Sequence, residues 1–180
     1  MINIILLNGP PGSGKDTVSD ILKDWYPNMR QEKFANPIRA AIRAFHGWTD
    51  DQLEHYKRMD GTTREEMMWF SEKVVKPIHG PNYFATACAE RIERELDTTE
   101  FWCVSDCGFQ YELDEFCTQI RQVDQEASLT LIRLSRPFCI YLGDTREPVY
   151  LDSELGRSFE LTNDGSIAGL AERLKINLGW

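Results

Sequence analysis

The sequence predicts a three-layer α/β fold, a parallel sheet flanked by helices, and three observations lead there. Short apolar runs at residues 4–7, 101–105 and 129–134 read as buried strands, because strands covered on both faces need not alternate. Segments of helical spacing fall between them, and strands alternating with helices imply parallel βαβ units. A glycine-rich turn, Asn-Gly-Pro-Pro-Gly-Ser-Gly-Lys-Asp-Thr at 8–17, joins the first run directly to the first helix.

Taken in order, Ile4-Ile5-Leu6-Leu7 form the first strand, and Val18, Ile21, Leu22 and Trp25 trace the core face of a helix beginning near Lys15. Residues 31–35 lead as strand or loop into a second helix, with Asn36 as N-cap, Pro37 in its first turn and Gly47 at its end. Its expected buried face is Ile38, Ala41, Ile42 and Phe45. A short helix follows Thr49, and another starts at Thr62 or Thr63. The latter keeps helical spacing through Met67, Phe70, Val74, Val75 and Ile78, until Pro77 and Pro81 break it. Residues 82–96 form a helix burying Phe84, Ala87, Cys88 and Ile92. A strand over 101–105 ends at Asp106. Leu113, Phe116, Cys117 and Ile120 mark the next helix, and residues 129–134 the next strand. Residues 135–156 are irregular, and a short strand at 158–161 precedes a last helix carrying Ile167, Leu170, Ala171 and Leu174.

The 8–17 segment is a phosphate-binding loop. Gly9, Gly12 and Gly14 let the backbone curl around anionic oxygens, Lys15 adds a positive charge, and the helix that follows contributes its N-terminal partial charge. Gly12, Ser13, Gly14, Lys15, Asp16 and Thr17 are therefore the expected nucleotide-binding residues. Asp16 occupies the slot where a Ser or Thr usually presents a hydroxyl to magnesium. Thr17 is the preferred magnesium-side hydroxyl, with Asp16 a water-mediated contact.

Other candidates are set by position. Asp106 closes a strand at the carboxyl edge, where ligands of such sheets bind, and is a candidate for magnesium or its waters; the alternative is a helix cap. Arg39 and Arg43 lie one turn apart and could grip a second phosphate; the alternative is a solvated face. Arg39 also sits in a first turn, where an anionic partner would offset the macrodipole. Arg64 opens its helix. Arg91 falls on the apolar side of its own, with snorkelling past the core the commoner reading. Glu112 reads as a solvated first-turn carboxylate, and Glu72 with Lys76 as an exposed pair. Arg136 and Arg146, with Arg157 just beyond, make the 135–156 region an arginine-bearing flexible flap, suited to charge neutralisation in phosphoryl transfer. Twenty irregular residues favour function over a plain loop.

The 180 residues suit one domain, with a helical insertion at about 36–97 and a lid-like segment at about 135–156. No apolar run approaches a bilayer span and no basic, signal-type leader opens the sequence, so a soluble cytoplasmic protein without membrane partners is expected. Five cysteines without a Cys-x-x-Cys pair fit reduced thiols in that compartment. A formal charge of −9, from 20 Lys and Arg against 29 Asp and Glu, disfavours polymeric nucleic acid as main partner.

Gly-Pro-Pro-Gly-Ser-Gly-Lys-x-Thr resembles adenylate-kinase-type nucleoside monophosphate kinases. Ser-Gly-Lys-Asp-Thr, Ala35-Asn36-Pro37-Ile38-Arg39, the helix opening at Arg64, Asn82-Tyr83-Phe84, Asp106, Arg136-Pro137 and Leu161-Thr162-Asn163-Asp164-Gly165-Ser166 together look like bacteriophage deoxynucleoside monophosphate kinases. That resemblance implies a P-loop kinase fold and Mg²⁺-dependent transfer of the ATP γ-phosphoryl group to a deoxynucleoside 5′-monophosphate, in the host cytoplasm for a phage-encoded chain. It implies that Lys15 bridges the β- and γ-phosphates and that Arg39 and Arg64 hold the acceptor phosphate; Arg43 and Arg91 join them as substrate-binding candidates from their positions alone. Arg136 and Arg146 would close over the transferring group, and Thr162, Asn163 and Gly165 would lie near adenine. The small nucleotide is the expected partner, and a homodimer is open. The family tends to carry an arginine two residues after the strand-end Asp, where this chain has Gly108; the charge must come from elsewhere, or the substrate differs. The competing readings are a kinase acting on hydroxymethyluracil in DNA, a phosphomevalonate-type kinase, and a nucleotide-binding protein without turnover. A GTPase is disfavoured, since no Asn-Lys-x-Asp sequence occurs.

Overall fold

The computed structural model describes residues 1–59, 61–142 and 146–179. Five strands form one wholly parallel sheet in the order β2-β3-β1-β4-β5. They are β1 Asn3–Asn8, β2 Arg30–Glu32, β3 Phe101–Val104, β4 Ser128–Ser135 and β5 Gly156–Thr162. The helices are α1 Lys15–Trp25, α2 Asn36–His46, α3 Asp50–Met59, α4 Thr62–Phe70, α5 Lys76–His79, α6 Tyr83–Arg94, α7 Gln110–Val123 and α8 Ile167–Leu178.

The central strand shows why the apolar runs were continuous. Ile4 and Leu6 pack on one face with Ile38, Ile42, Phe84, Ile92, Phe116 and Ile120, from α2, α6 and α7. Ile5 and Leu7 pack on the other with Val18, Leu22, Leu170 and Leu174, from α1 and α8. Two separate cores, one on each side of the sheet, make the three layers. Each fully buried leucine or isoleucine contributes about 1.5–3 kcal/mol of transfer free energy.

The insertion between β2 and β3 departs from the expected pattern in three ways. The residue capping α2 is Ala35, while Asn36 begins the helix and donates through Nδ2 to Glu32. The helix expected after Thr62 is two α-helices, α4 and α5, joined through a π-helical turn, Ser71–Val75, just before Pro77. Proline lacks an N–H, and the wider turn is where the hydrogen-bond ladder adjusts. Phe45 and Ile78, expected in the core, are exposed at 80% and 70%, because the insertion lays few elements over those faces.

Candidate functional site

The glycine loop leaves β1 at the carboxyl edge of the sheet and enters α1 at Gly14. Gly14 has φ 102°, a left-handed conformation that glycine adopts without a Cβ penalty, and no side chain caps the helix. The amides at this helix start are thus available to an anion. Lys15 folds back over the loop, its Nζ donating to the carbonyls of Gly9 at 2.6 Å and Pro10 at 2.9 Å. The Ser13 side chain is wholly buried and its hydroxyl has no partner. The Ser13 hydroxyl is therefore not presented at the surface of the loop.

Two other segments close on this loop. Asn163, just after β5, donates from Nδ2 to the Ser13 carbonyl at 3.0 Å and lies so near Gly14 that a Cβ there would fall 2.3 Å from it. Thr162 ends β5 beside it, and Gly165 lies exposed in the turn before α8. Arg136, just after β4, donates to the Gly12 carbonyl at 3.2 Å. Lys15, Arg136 and Asn163 thus meet on one short loop.

Asp106 lies past the end of β3, and both its oxygens accept backbone N–H groups, from Phe34 at 2.7 Å and Ala35 at 3.0 Å. It ties Phe34 and Ala35, the residues leading into α2, to the strand end, and it is not the N-cap of the helix that follows it in sequence, a place held by Phe109. Asp16 is largely exposed and pairs with Lys33 at 2.8 Å. Thr17 is half-buried in the first turn of α1. Among the described residues no three His, Cys, Asp or Glu side chains gather to hold a metal.

Three of the arginines assigned to the acceptor, Arg39, Arg43 and Arg91, are engaged by the protein's own carboxylates. Arg39 pairs with Glu54 and with Asp50, and Arg43 with Asp50, so both tie α2 to α3. The anion that offsets Arg39 in its first turn is thus supplied by α3. Burial raises the Glu54 pKa, but hydrogen bonds from Arg39 and Lys57 outweigh it and bring the value to about 2. Arg91 is held by Glu32 at 2.8 Å and by the Lys33 carbonyl at 2.9 Å, which meets its need for an anion on β2. Arg64 is half-buried on α4.

Arg157 lies just beyond the irregular segment, within β5. Its guanidinium binds Thr130 Oγ1 and the Leu178 carbonyl, at the start of β5, the amino edge of the sheet away from the loop. Of the segment at about 135–156, residues 143–145 lie outside the described residues. The part beyond them is tethered, where a flexible flap was expected: Val149 and Leu151 are buried in the core beside α7. The reason is their apolar character, which places them on the sheet-covering layer. Glu112 is a second correction. It is buried at 4% exposure, and desolvation pushes its pKa up to about 8.

Sequence reasoning missed Asn8. Its signal was a polar residue ending an apolar strand, immediately before the loop.

No protein-family model matches the chain, and no curated protein matches it in sequence. Solved structures share its fold. A sugar kinase from Janibacter sp. HTCC2649 aligns over 99% of this chain and 95% of its own, at 14% identity and a TM-score of 0.50. A protein from Chloroflexus aurantiacus j-10-fl, provisionally named a kinase, aligns over 99% and 96%, at 12% identity and a TM-score of 0.53. At such identities the likeness is one of fold. No described helix is long and apolar enough to cross a membrane.

Proposed function

We propose that the chain is a kinase that transfers the γ-phosphoryl group of ATP to a deoxynucleoside 5′-monophosphate, giving ADP and the diphosphate. The observation that supports it best is the meeting of Lys15 and Arg136 on the glycine loop, with Asn163 packed beneath. Cations and amides converging at the carboxyl edge of a parallel sheet suit a polyphosphate.

In this reading an acceptor phosphate oxygen attacks the γ-phosphorus, and the electron pair of the breaking bond stays on the β-phosphate oxygen. Such transfer asks the protein for position and charge, not covalent work. Lys15 moves from the Gly9 and Pro10 carbonyls to the β- and γ-oxygens. Arg136 and Arg146 take up charge on the transferring group, and Thr162, Asn163 and Gly165 line the adenine side. Arg39, Arg43, Arg64 and Arg91 form the acceptor side, where a monophosphate competes with Asp50 and Glu54 for Arg39. Magnesium fits the donors present: the Thr17 hydroxyl, with Asp16 and Asp106 through water, since the ion keeps several waters and needs no protein cage. When bound, it neutralises phosphate charge.

The deciding experiment incubates the protein with Mg-ATP and each deoxynucleoside monophosphate, then with hydroxymethyluracil-containing DNA, following ADP release and product mass. Diphosphate formation is expected. Labelling of DNA alone, or no turnover of any acceptor, overturns the proposal.

A further inference from the structure

Asn8, the last residue of β1, is 2% exposed, and its amide fills every hydrogen-bonding position it has. Nδ2 donates to the carbonyls of Cys107 at 2.8 Å and Glu147 at 3.0 Å. Oδ1 accepts from the Tyr141 hydroxyl at 3.1 Å and the Val149 N–H at 3.4 Å. One side chain thereby joins the strand that feeds the glycine loop, the connection after β3, and both limbs of the β4–β5 connection.

The far limb has further ties. Glu147 N–H donates to the Gly108 carbonyl at 3.0 Å, and the Gln110 side chain bonds both the N–H and the carbonyl of Tyr150, each at 2.9 Å. Gly108 has a specific consequence for the residue before Glu147. A Cβ at position 108 would fall 2.5 Å from Cδ, 2.6 Å from Cγ and 3.1 Å from Cβ of Arg146. The Arg146 stem therefore lies flat on the backbone two residues beyond Asp106, in space that any side chain at 108 would take.

We propose that Asn8 is a positioning residue that holds Arg146 on Gly108, presetting this arginine at the carboxyl edge of the sheet before nucleotide arrives. The inference rests on the kinase reading for the use of Arg146, but the seat itself does not. Gly108 is then not a lost charge: its missing side chain admits one from the β4–β5 connection. A preset cation stabilises developing charge without reorganisation at the moment of reaction.

Two measurements on the full chain test it. The first is native trypsin cleavage of the Arg146–Glu147 bond, followed by mass spectrometry; Arg136 is followed by proline and gives no competing cut. Asn8→Ala and Gly108→Ala should each speed this cleavage by about tenfold or more, with other sites unchanged, because protection reports local closure. Equal rates overturn the seat. The second is kinetic. Each variant should lower kcat by about 10–100-fold with the KM for ATP within about threefold, and add less than about twofold in an Arg146→Ala background. Full additivity with Arg146→Ala overturns the positioning role. Should Asn8→Ala fail to fold, Gly108→Ala carries both measurements. If the wild-type chain phosphorylates no monophosphate, the kinase reading falls, while the cleavage comparison still decides the seat.

Discussion

The Lys15 ammonium lies 2.6 Å from the Gly9 carbonyl oxygen, folded across the loop it follows in sequence. Both carbonyls it binds, those of Gly9 and Pro10, belong to the loop itself, and in the proposed function phosphate oxygens replace them. Lys15→Ala should lower kcat by about 10²–10³-fold or more while shifting Tm by less than about 2 °C. Paired turnover assays and thermal melts check this; retained activity would remove Lys15 from the phosphate site.

Arg39 joins α2 to α3 through Glu54 and Asp50, and in the proposed function it also meets the acceptor phosphate. Arg39→Ala should chiefly raise the KM for the acceptor, and an effect confined to ATP counts against its placement. The same variant should change acid behaviour. Glu54 has a folded pKa of about 2, below its ordinary 4.5, so its stabilisation is present above about pH 4.5 and fades as pH falls toward 2. Wild-type stability should drop across that window and Arg39→Ala should flatten the drop, read by denaturant titrations at pH 5, 4 and 3.

The five cysteines differ in access. Cys88, Cys103, Cys107 and Cys117 are buried, and desolvation pushes Cys103 and Cys117 up to about 12 and the other two well above the ordinary thiol range. Cys139 is partly exposed, and its sulfur lies 3.3 Å from where a Cβ on Gly12 would stand. Brief treatment with N-ethylmaleimide should label Cys139 first, since thiolate access governs reactivity. Labelling should abolish turnover, and Mg-ATP should protect. Peptide mapping reads both; unchanged labelling with nucleotide present would separate Cys139 from the nucleotide.

How much of this was legible depends on where each residue's partners lie. Ile4 to Leu7 disclosed a two-faced strand because burial on both sides leaves a continuous run, and Gly14 with Lys15 disclosed the loop because the whole device is local. Asn8 was not legible, since its partners lie 99 to 141 residues away. Phe45 keeps perfect helical spacing and is still exposed, because spacing shows which residues share a face but not whether another element covers it. Spacing likewise put Arg91 on the apolar side of its helix without showing the carboxylate that pairs with it there, Glu32, which comes from β2.

Glu112 gives a pH dependence of its own. A first-turn acid favours a helix dipole, yet the packing of α7 buries this one. Desolvation raises its pKa to about 8, against the pull of Lys76 and with Asp106 and Glu72 adding to the rise. Below about pH 4.5 the carboxyl is protonated folded or unfolded. Between there and pH 8 the unfolded chain releases the proton and the folded chain keeps it, so stability falls as pH rises and the loss is complete above 8. The full span is on the order of a few kcal/mol. Glu112→Gln keeps the neutral shape and removes the titration, so it should match the wild type near pH 4.5 and exceed its Tm at pH 8.5. Thermal melts of both proteins across pH 4.5–8.5 measure the difference; a gap that does not widen with pH would mean that Glu112 ionises as an ordinary surface acid.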